Sequence, residues 1–421
     1  MSILNEQKLD IYNYFITSFD ILYPSGGSTK IAPSMVYKMS KVDDYDNNCF
    51  PLFNVQFHVN INDYYKILKE KTGVKFRIRL QKAKMDKYNT TSTKVIKQDV
   101  FNEVFSCYIT DSTPFYDEKL YNKAKEVRGS KNTTSPEDFS ATMNLYLFKE
   151  KDIEGTRKIV NKVLGQLTLT DMVFDLYSSC GLGQNLLMQK FDNNTVYSEI
   201  VIPPLPMLGT LQYLESNYQN FYNGSSIIFF DFVTKYILKK QLGCAAWKSQ
   251  EFKQTVFLVR EATSSQREQV SCEKNAKEKK YYISVTPEMV TVDKTSITKD
   301  VTDASNIMIV DAKTGRTDSI SMGLDTRGSG STKVVYNEHH NSRLAKEVEA
   351  NLKSDGMSIF ITCPNIDVDA LTPNKEFVVK FLDKQTTGDL SGTYRLSSVS
   401  HQFMSNGSSG FNISTVIKLT K

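Results

Sequence analysis

Between Ile200 and Leu238 the sequence IVIPPLPMLGTLQYLESNYQNFYNGSSIIFFDFVTKYIL lays out three successive elements. Pro203, Pro204 and Pro206 stop whatever precedes them. Proline in a helix's first turn lacks only an N–H that would have had no partner there, so a helix is predicted to start at this point. Leu208, Leu211, Leu214, Tyr218 and Phe221 then recur at steps of three and four, a stripe that must be buried against something. Asn223-Gly224 ends it. Ile227 to Phe230 is apolar at every position and too short for a separate helix, which predicts a strand covered on both faces. Asp231 interrupts the run, and Phe232, Val233, Tyr236, Ile237 and Leu238 resume it.

A chain of 421 residues exceeds one core of typical size, so three or four units of about 100 to 150 residues are expected. Its 40% hydrophobic content, with 22 Tyr and 24 Phe, is enough to fill several cores. The excess of 52 basic over 47 acidic residues, +5 net, is too small to make nucleic-acid binding the main activity. Six widely spaced cysteines form no C-x-x-C pair and are read as reduced, mostly buried thiols. Glu6 and Asp10 break the apolar core that a signal peptide would need, and no apolar run approaches the roughly 20 residues of a spanning helix. A soluble product made in a cytoplasm is expected.

Polar and apolar residues alternate in Ile11 to Phe19, Val55 to Ile61 and Lys75 to Leu80, which predicts an antiparallel barrel or sandwich. Asp63 to Lys71 has helical composition, with Gly73 as its stop. Residues 111–138 are polar and turn-rich and suggest a boundary. A strand, Thr142 to Phe148, follows, then helices at Glu154 to Gln166 and at Asp171 to Cys180, the latter between a Thr170 cap and Gly181. From Gly243 to Lys353 strands are predicted at Thr255 to Val259, Tyr281 to Val285 and Ile307 to Val310, and a helix at Arg343 to Leu352. The stretch EKNAKEKK (Glu273 to Lys280) is read as a solvated loop. Strands return at Met357 to Ile361, Phe377 to Leu382, Tyr394 to Val399 and Phe411 to Leu419.

Candidate chemistry is sparse. Gly26-Gly-Ser-Thr-Lys and Gly328-Ser-Gly-Ser-Thr-Lys resemble a phosphate loop only superficially, because neither supplies G-x-x-x-x-G-K-[ST], and both are read as flexible loops. Asn365, Asp367, Asp369 and Glu376 hold the first, third, fifth and twelfth places of a calcium loop. Ala370 stands where the sharp turn wants glycine, so a surface turn is preferred, and an ion near Asp367 and Asp369 is left open. His58 and His401 lie in strands, and the adjacent pair His339-His340 does not make H-E-x-x-H. No catalytic, cofactor or metal residue is assigned. The aromatics of Leu214 to Tyr236 lack interleaved basic residues and read as core or subunit interface rather than a base-stacking platform.

The segment IPPLPMLGTLQYLESNYQNFYNGSSIIFFDF resembles the corresponding part of baseplate hub proteins of contractile-tailed bacteriophages and related injection machines. GTYRLSSVSHQF (Gly392 to Phe403) and FNISTVIKLTK (Phe411 to Lys421) resemble the closing hairpin of those hubs' second barrel. The resemblance implies a mainly β, α+β chain with two tube-like antiparallel barrels: a first barrel at 1–110, an α/β insertion at 111–200, and a second barrel in two parts, 201–242 and 355–421, around an insertion at 243–354. It further implies a structural, non-enzymatic component of the virion's tail baseplate, assembled in the host cytoplasm. In such hubs a homotrimer of double barrels imitates sixfold symmetry, joining the tail tube or its initiator to a central spike, with wedge proteins around it. DNA would be met only in passage through the bore, and no cofactor or stable membrane association is expected. With no needle-like repeat or lysozyme-like domain after Lys421, spike and hydrolase are expected on separate chains. The alternatives are a tube initiator or upper-baseplate adaptor carrying one barrel per chain, and a tail-associated cell-wall hydrolase.

Overall fold

The computed structural model describes residues 12–70, 73–84, 97–107, 140–218, 220–243, 252–260, 271–293, 304–311, 317–321, 331–337, 357–382, 390–406 and 410–421. It is mainly β, with helices subordinate to the sheets. Eight antiparallel strands close into a barrel. Six of them are β1 (Tyr12–Leu22), β3 (Val36–Asp44), β4 (Leu52–Asn60), β5 (Lys75–Lys84), β6 (Lys97–Cys107) and β7 (Ser140–Lys149), with β2 (Ser28–Lys30) as a short flap on β1. Around the wall the order is β3, β4, β7, β6, β5, β1, and the chain's last two strands complete the circle.

Period-two patterning drives these strands, since successive side chains point to opposite faces. β4 sends Phe53, Val55, Phe57 and Val59 inward and β5 sends Phe76, Ile78 and Leu80. β1 buries Tyr12, Tyr14 and Ile16, then Phe19 and Ile21; the change from even to odd positions is made by a register shift against β5 between Ile16 and Ser18. The strand predicted at Thr142 to Phe148 is β7. It is a wall strand of this barrel, paired with β4 from Ser140 to Leu147 and with β6 at its end, because Ala141, Met143, Leu145 and Leu147 all face the barrel core. Helix α1 (Ile61–Lys69) starts two residues before the predicted position, since the Asn60 side chain caps it by accepting from the Asn62 N–H. It lays Ile61, Tyr64 and Ile67 on the same core.

After β7 come α2 (Glu150–Arg157), β8 (Ile159–Leu164), β9 (Leu167–Thr168), α3 (Leu169–Ser179), β10 (Leu186–Met188), β11 (Val196–Tyr197), β12 (Ile200–Pro206) and α4 (Met207–Asn217). The helix predicted from Glu154 to Gln166 is therefore replaced by the end of α2 and all of β8. The β-branched Ile159, Val160 and Val163 pair with the proline-rich β12, whose register slips between Ile202 and Leu205 where two prolines offer no N–H. The α3 cap is Thr168, not Thr170: its hydroxyl accepts from the Asp171 N–H. Gly181, at φ +78°, ends the helix as predicted. α4 begins immediately after Pro206, and Leu211, Leu214 and Phe221 pack on Leu169, Met172 and Leu176 of α3 in a second core.

The run predicted to be covered on both faces is β13 (Ser226–Phe230), paired antiparallel with β14 (Lys235–Lys239), which in turn pairs in parallel with β10. Phe230 and Ile237 face the helical core just described. Ile227, Phe229, Tyr236 and Leu238 face a third core on the other side.

That third core belongs to a second β-system built from β15 (Gln254–Val259), β16 (Ser271–Asn275), β17 (Lys280–Val285), β18 (Val290–Asp293), β22 (Ser358–Pro364), β23 (Glu376–Phe381), β24 (Gly392–Ser405) and β25 (Gly410–Thr420). Between β18 and β22 a three-stranded sheet is formed by β19 (Ala304–Asp311), β20 (Thr317–Ser321) and β21 (Ser331–Asn337). The second system runs β18, β22, β25, β24, β23, β15, β17, β16, with β15 parallel to both its neighbours. Thus β15 to β18, read from sequence as part of an insertion, line the same core as β22 to β25. The stretch Glu273 to Lys280, read as a loop, is the β16–β17 hairpin. The helix predicted at Arg343 to Leu352 lies outside the described residues. No helix among them is long and apolar enough to cross a membrane.

Candidate functional site

The hairpin β24–β25 belongs to both β-systems. Along its outer edges it changes partners: β24 pairs with β23 at residues 392–394 and with β3 at 398–404, while β25 pairs with β22 at 414–420 and with β1 at 410–411. Phe403, Phe411 and Ile413 point into the first barrel's core, and Tyr394, Leu396, Val399, Ile417 and Leu419 into the core of the second system. Each partner change leaves a branch point where backbone groups of a forked sheet need other partners.

Asn365 fills the branch on the β25 side. Its N–H donates to the Ile413 carbonyl (2.9 Å), its Oδ1 accepts from the Ile413 N–H (3.2 Å), and its carbonyl accepts from the Tyr12 N–H of β1 (3.2 Å). A φ of +51° lets one residue reach both strands, a conformation asparagine tolerates better than most. On the β24 side the Ser397 carbonyl accepts from the Tyr45 N–H, and Arg395 grips Asp46 with two nitrogens (2.7 and 3.2 Å). Burial opposes the Asp46 charge, but Arg395 outweighs it and holds the carboxyl below its usual range.

The segment after Asn365 is bound from both systems. The Tyr14 hydroxyl donates to the Ile366 carbonyl (2.7 Å) and accepts from the Val368 N–H (3.1 Å); on the other side the Thr255 hydroxyl donates to the Ala370 carbonyl (2.8 Å). Asp367 lies between two ammonium groups, Lys82 of β5 (2.5 Å) and Lys274 of β16 (3.0 Å), and Lys82 also reaches Asp369 (2.5 Å). Burial works against the charges of Lys82, Lys274 and Asp367. The Lys82 and Lys274 ammoniums nevertheless keep Asp367 ionised below its usual range, and the carboxylates keep Lys82 above its own. A cavity of about 280 Å³ adjoins this cluster, lined by Tyr12, Lys82, Lys274, Asp367 and Asn374.

Beside it the turn between β13 and β14 stops the first barrel. Phe232, 2% exposed, stands edge-on to Phe53, Phe101 and Phe105 at centroid distances of 5.2, 5.2 and 4.9 Å. Lys149 donates to the Phe232 carbonyl, and Lys41 pairs with Asp231 (2.8 Å) and Asp43 (2.5 Å). Burial drives Asp43 up to about 6 against the pull of Lys41; burial also draws His401 down to about 3, with the Lys41 charge adding to it. His401 shares a hydrogen bond with Thr415 (3.0 Å) and lines a cavity of about 320 Å³ together with Lys41, Asp43, Asp231 and Phe403.

The residues singled out from sequence are dispersed. Gly26 and Gly27 make the β1–β2 turn, at φ +92° and +86°, with a strand and no helix behind them. Of the second glycine-rich stretch, Ser331 to Lys333 open β21 and the rest lies outside the described residues, as do His339 and His340. Asp367 and Asp369 hold lysines where a calcium loop would hold its ion, and Glu376 is turned away to Gln254 (2.7 Å). Among the described residues no three His, Cys, Asp or Glu side chains are placed to hold a metal. His58 stacks on Tyr37, with ring centroids 5.1 Å apart. Phe221, Tyr222, Phe229 and Phe230 are core residues. The five described cysteines are free thiols. Sequence reading passed over Lys82, placed Lys274 in a solvated loop, took Asn365 only as a calcium-loop position and Phe232 only as part of an apolar run. The signal for Lys82 was available: the inward positions Phe76, Ile78 and Leu80 are followed, two further on, by a lysine.

A family model and solved structures place the chain among known proteins. The family model described as "Bacteriophage PBS1 gene 109 protein" matches residues 8–421. No curated protein sequence matches. Among solved structures, a tail protein from Neisseria meningitidis MC58 superposes with a TM-score of 0.53 at 10% identity, covering 97% of this chain and 96% of that one. The 43 kDa tail protein of prophage MuSo2 from Shewanella oneidensis gives 0.51 at 10% identity, with 96% of each chain covered. A chain of the lidded PdpA–VgrG complex of Francisella gives 0.51 at 9% identity; it covers 99% of this chain, which spans 53% of that one. At such identities the likeness is one of fold.

Proposed function

The chain belongs to the family of the bacteriophage PBS1 gene 109 protein, and from that premise we propose that it is a phage tail protein, the central hub of the baseplate. In this reading three copies form a ring in which two β-tubes per chain supply six similar units, so that a sixfold tail tube sits on one face and a threefold spike on the other. Tail-tube or tube-initiator proteins, the spike and the surrounding wedges are its partners, DNA crosses the bore only during ejection, and the role is structural rather than enzymatic.

The observation that carries this reading is the shared hairpin. Two β-systems, each following a path of eight strands, share β24 and β25, which supports reading them as two walls joined within a single chain. A rigid pair is what a threefold ring needs if it is to offer six regularly spaced contacts, since a flexible tether would let the two walls drift apart. The fold shared with the tail proteins from Neisseria and Shewanella supports the same reading.

The test is the mass of the purified protein in solution together with electron microscopy of its particles. Three chains in a ring whose projection carries six similar lobes are expected. A stable monomer at micromolar concentration would overturn the hub, and a hexamer using one barrel per chain would favour a tube initiator instead.

A further inference from the structure

We infer that the β24–β25 hairpin acts as a completion strap: the first barrel closes only when residues 392–420 arrive, and from then on both β-systems open and close as one unit. Six of the eight wall strands lie between Tyr12 and Lys149, and on their own they make a sheet with β3 at one edge and β1 at the other. Residues 392–420 supply the missing two. β24 covers the β3 edge over seven residue pairs, from Ser398 with Asp44 to Met404 with Lys38. β25 covers the β1 edge over only two, Tyr14 with Phe411 and Phe15 with Gly410.

Until then the β3 edge and most of the β1 edge, which β2 covers only at Asp20 to Leu22, present unpaired N–H and C=O groups, a template for wrong pairing. Apart from β2 on β1, no strand before residue 392 takes a place on those two edges among the described residues. The hairpin cannot serve the first barrel alone, because Leu396, Val399, Ile417 and Leu419 of the same two strands are at most 1% exposed in the second core. Pulling β24 and β25 from one system strips the other of two adjacent strands and their core residues. The branch at Asn365 and the Lys82–Asp367–Lys274 cluster tie the same seam a second time. This inference is independent of the hub reading.

The experiment is hydrogen exchange of the full-length protein, read by mass spectrometry segment by segment, on the parent, on Phe411→Ala and on Leu419→Ala. Phe411 faces the first core and Leu419 the second. Either substitution is expected to speed exchange in β4–β5 and in β15–β17 by one common factor, about 30-fold or more for a fully buried large apolar side chain. Acceleration confined to β4–β5 by Phe411→Ala, or to β15–β17 by Leu419→Ala, would overturn the inference. If either alanine variant fails to fold, Phe411→Leu and Leu419→Val put the same question, with a common but smaller factor expected and a partitioned one decisive against it.

Discussion

The ammonium nitrogen of Lys82 lies 2.5 Å from Oδ1 of Asp367, a residue 285 positions further along the chain, and both side chains are buried. A pair so far apart in sequence and so dry is stabilising only while intact. Removing Lys82 leaves the buried Asp367 carboxylate to Lys274 alone, at a cost of up to about 3 to 5 kcal/mol. Lys82→Met is therefore expected to lose that much stability in chemical denaturation, and Lys82→Met combined with Asp367→Leu to recover part of it. A single-variant loss below about 1 kcal/mol would show that Lys274 alone satisfies Asp367. The pH dependence follows from the two shifts. Asp367, held below its ordinary value of 3.8, contributes at higher pH and loses that contribution as pH falls through its lowered value. Lys82, held above 10.5, contributes at lower pH and loses that contribution as pH rises through its raised value. The difference between parent and Lys82→Met should be flat around neutrality and shrink at both extremes.

Phe232 fills the mouth of the first barrel from a turn that belongs to the middle of the chain. Its truncation leaves a void ringed by Phe53, Phe101 and Phe105, which cannot collapse because all three are fixed in strands. Phe232→Ala is expected to cost about 3 to 5 kcal/mol and Phe232→Leu clearly less. Urea denaturation of both variants measures this, and equal costs would mean that the ring is not packed as described.

His401 and Asp43 face one cavity, and their proton affinities pull stability in opposite directions. His401 stays neutral in the fold down to about pH 3 against 6.5 when unfolded, so acidification through that window favours the unfolded chain. Asp43 takes a proton in the fold near pH 6 but only near 3.8 when unfolded, so between those values acidification favours the fold. From about pH 6 to 4 the two offset one another. In His401→Gln only the Asp43 effect remains at this site. The unfolding free energy of the variant relative to the parent should climb as pH falls from 7 to 4, at up to about 1.4 kcal/mol per pH unit. A difference that does not vary with pH would mean that His401 is protonated inside the fold.

Much of this was legible from period and punctuation, and the reasons for the rest are physical. Alternation located β1, β4 and β5, because a strand with one wet face displays its inward residues every second position. The unbroken run at Ile227 to Phe230 announced burial on two sides, and its faces do belong to different cores. The helix misplaced over Ile159 to Leu164 shows what was hidden: that segment is a strand only because β12 lies beside it, and β12 is a proline-rich stretch whose local chemistry says little about pairing. Asp367 is the same lesson in polar form. Its neighbours Asn365 and Asp369 suggested an exposed acidic turn, while the lysines that bury it come from β5 and β16, which no local window contains.

Asn365 combines two demands that substitution can separate. Its backbone is left-handed at φ +51°, and its side-chain oxygen accepts the Ile413 N–H at the point where β25 leaves β1 for β22. Asn365→Gly keeps the backbone accessible and removes only the acceptor, a loss of about 0.5 to 1.5 kcal/mol for one hydrogen bond. Asn365→Ala removes the acceptor and must also hold a β-carbon in the left-handed region, which adds about 1 to 2 kcal/mol. Asn365→Asp retains both an acceptor and tolerance of that backbone, but brings a third carboxylate next to Asp367 and Asp369, where only Lys82 and Lys274 provide balance. The expected order of stability by thermal or chemical denaturation is parent, then Gly, then Ala, with Asp falling as pH rises through the carboxylate range. Alanine and glycine variants of equal stability would show that the branch is made by the side chain alone, and that the left-handed turn can relax without opening the fork.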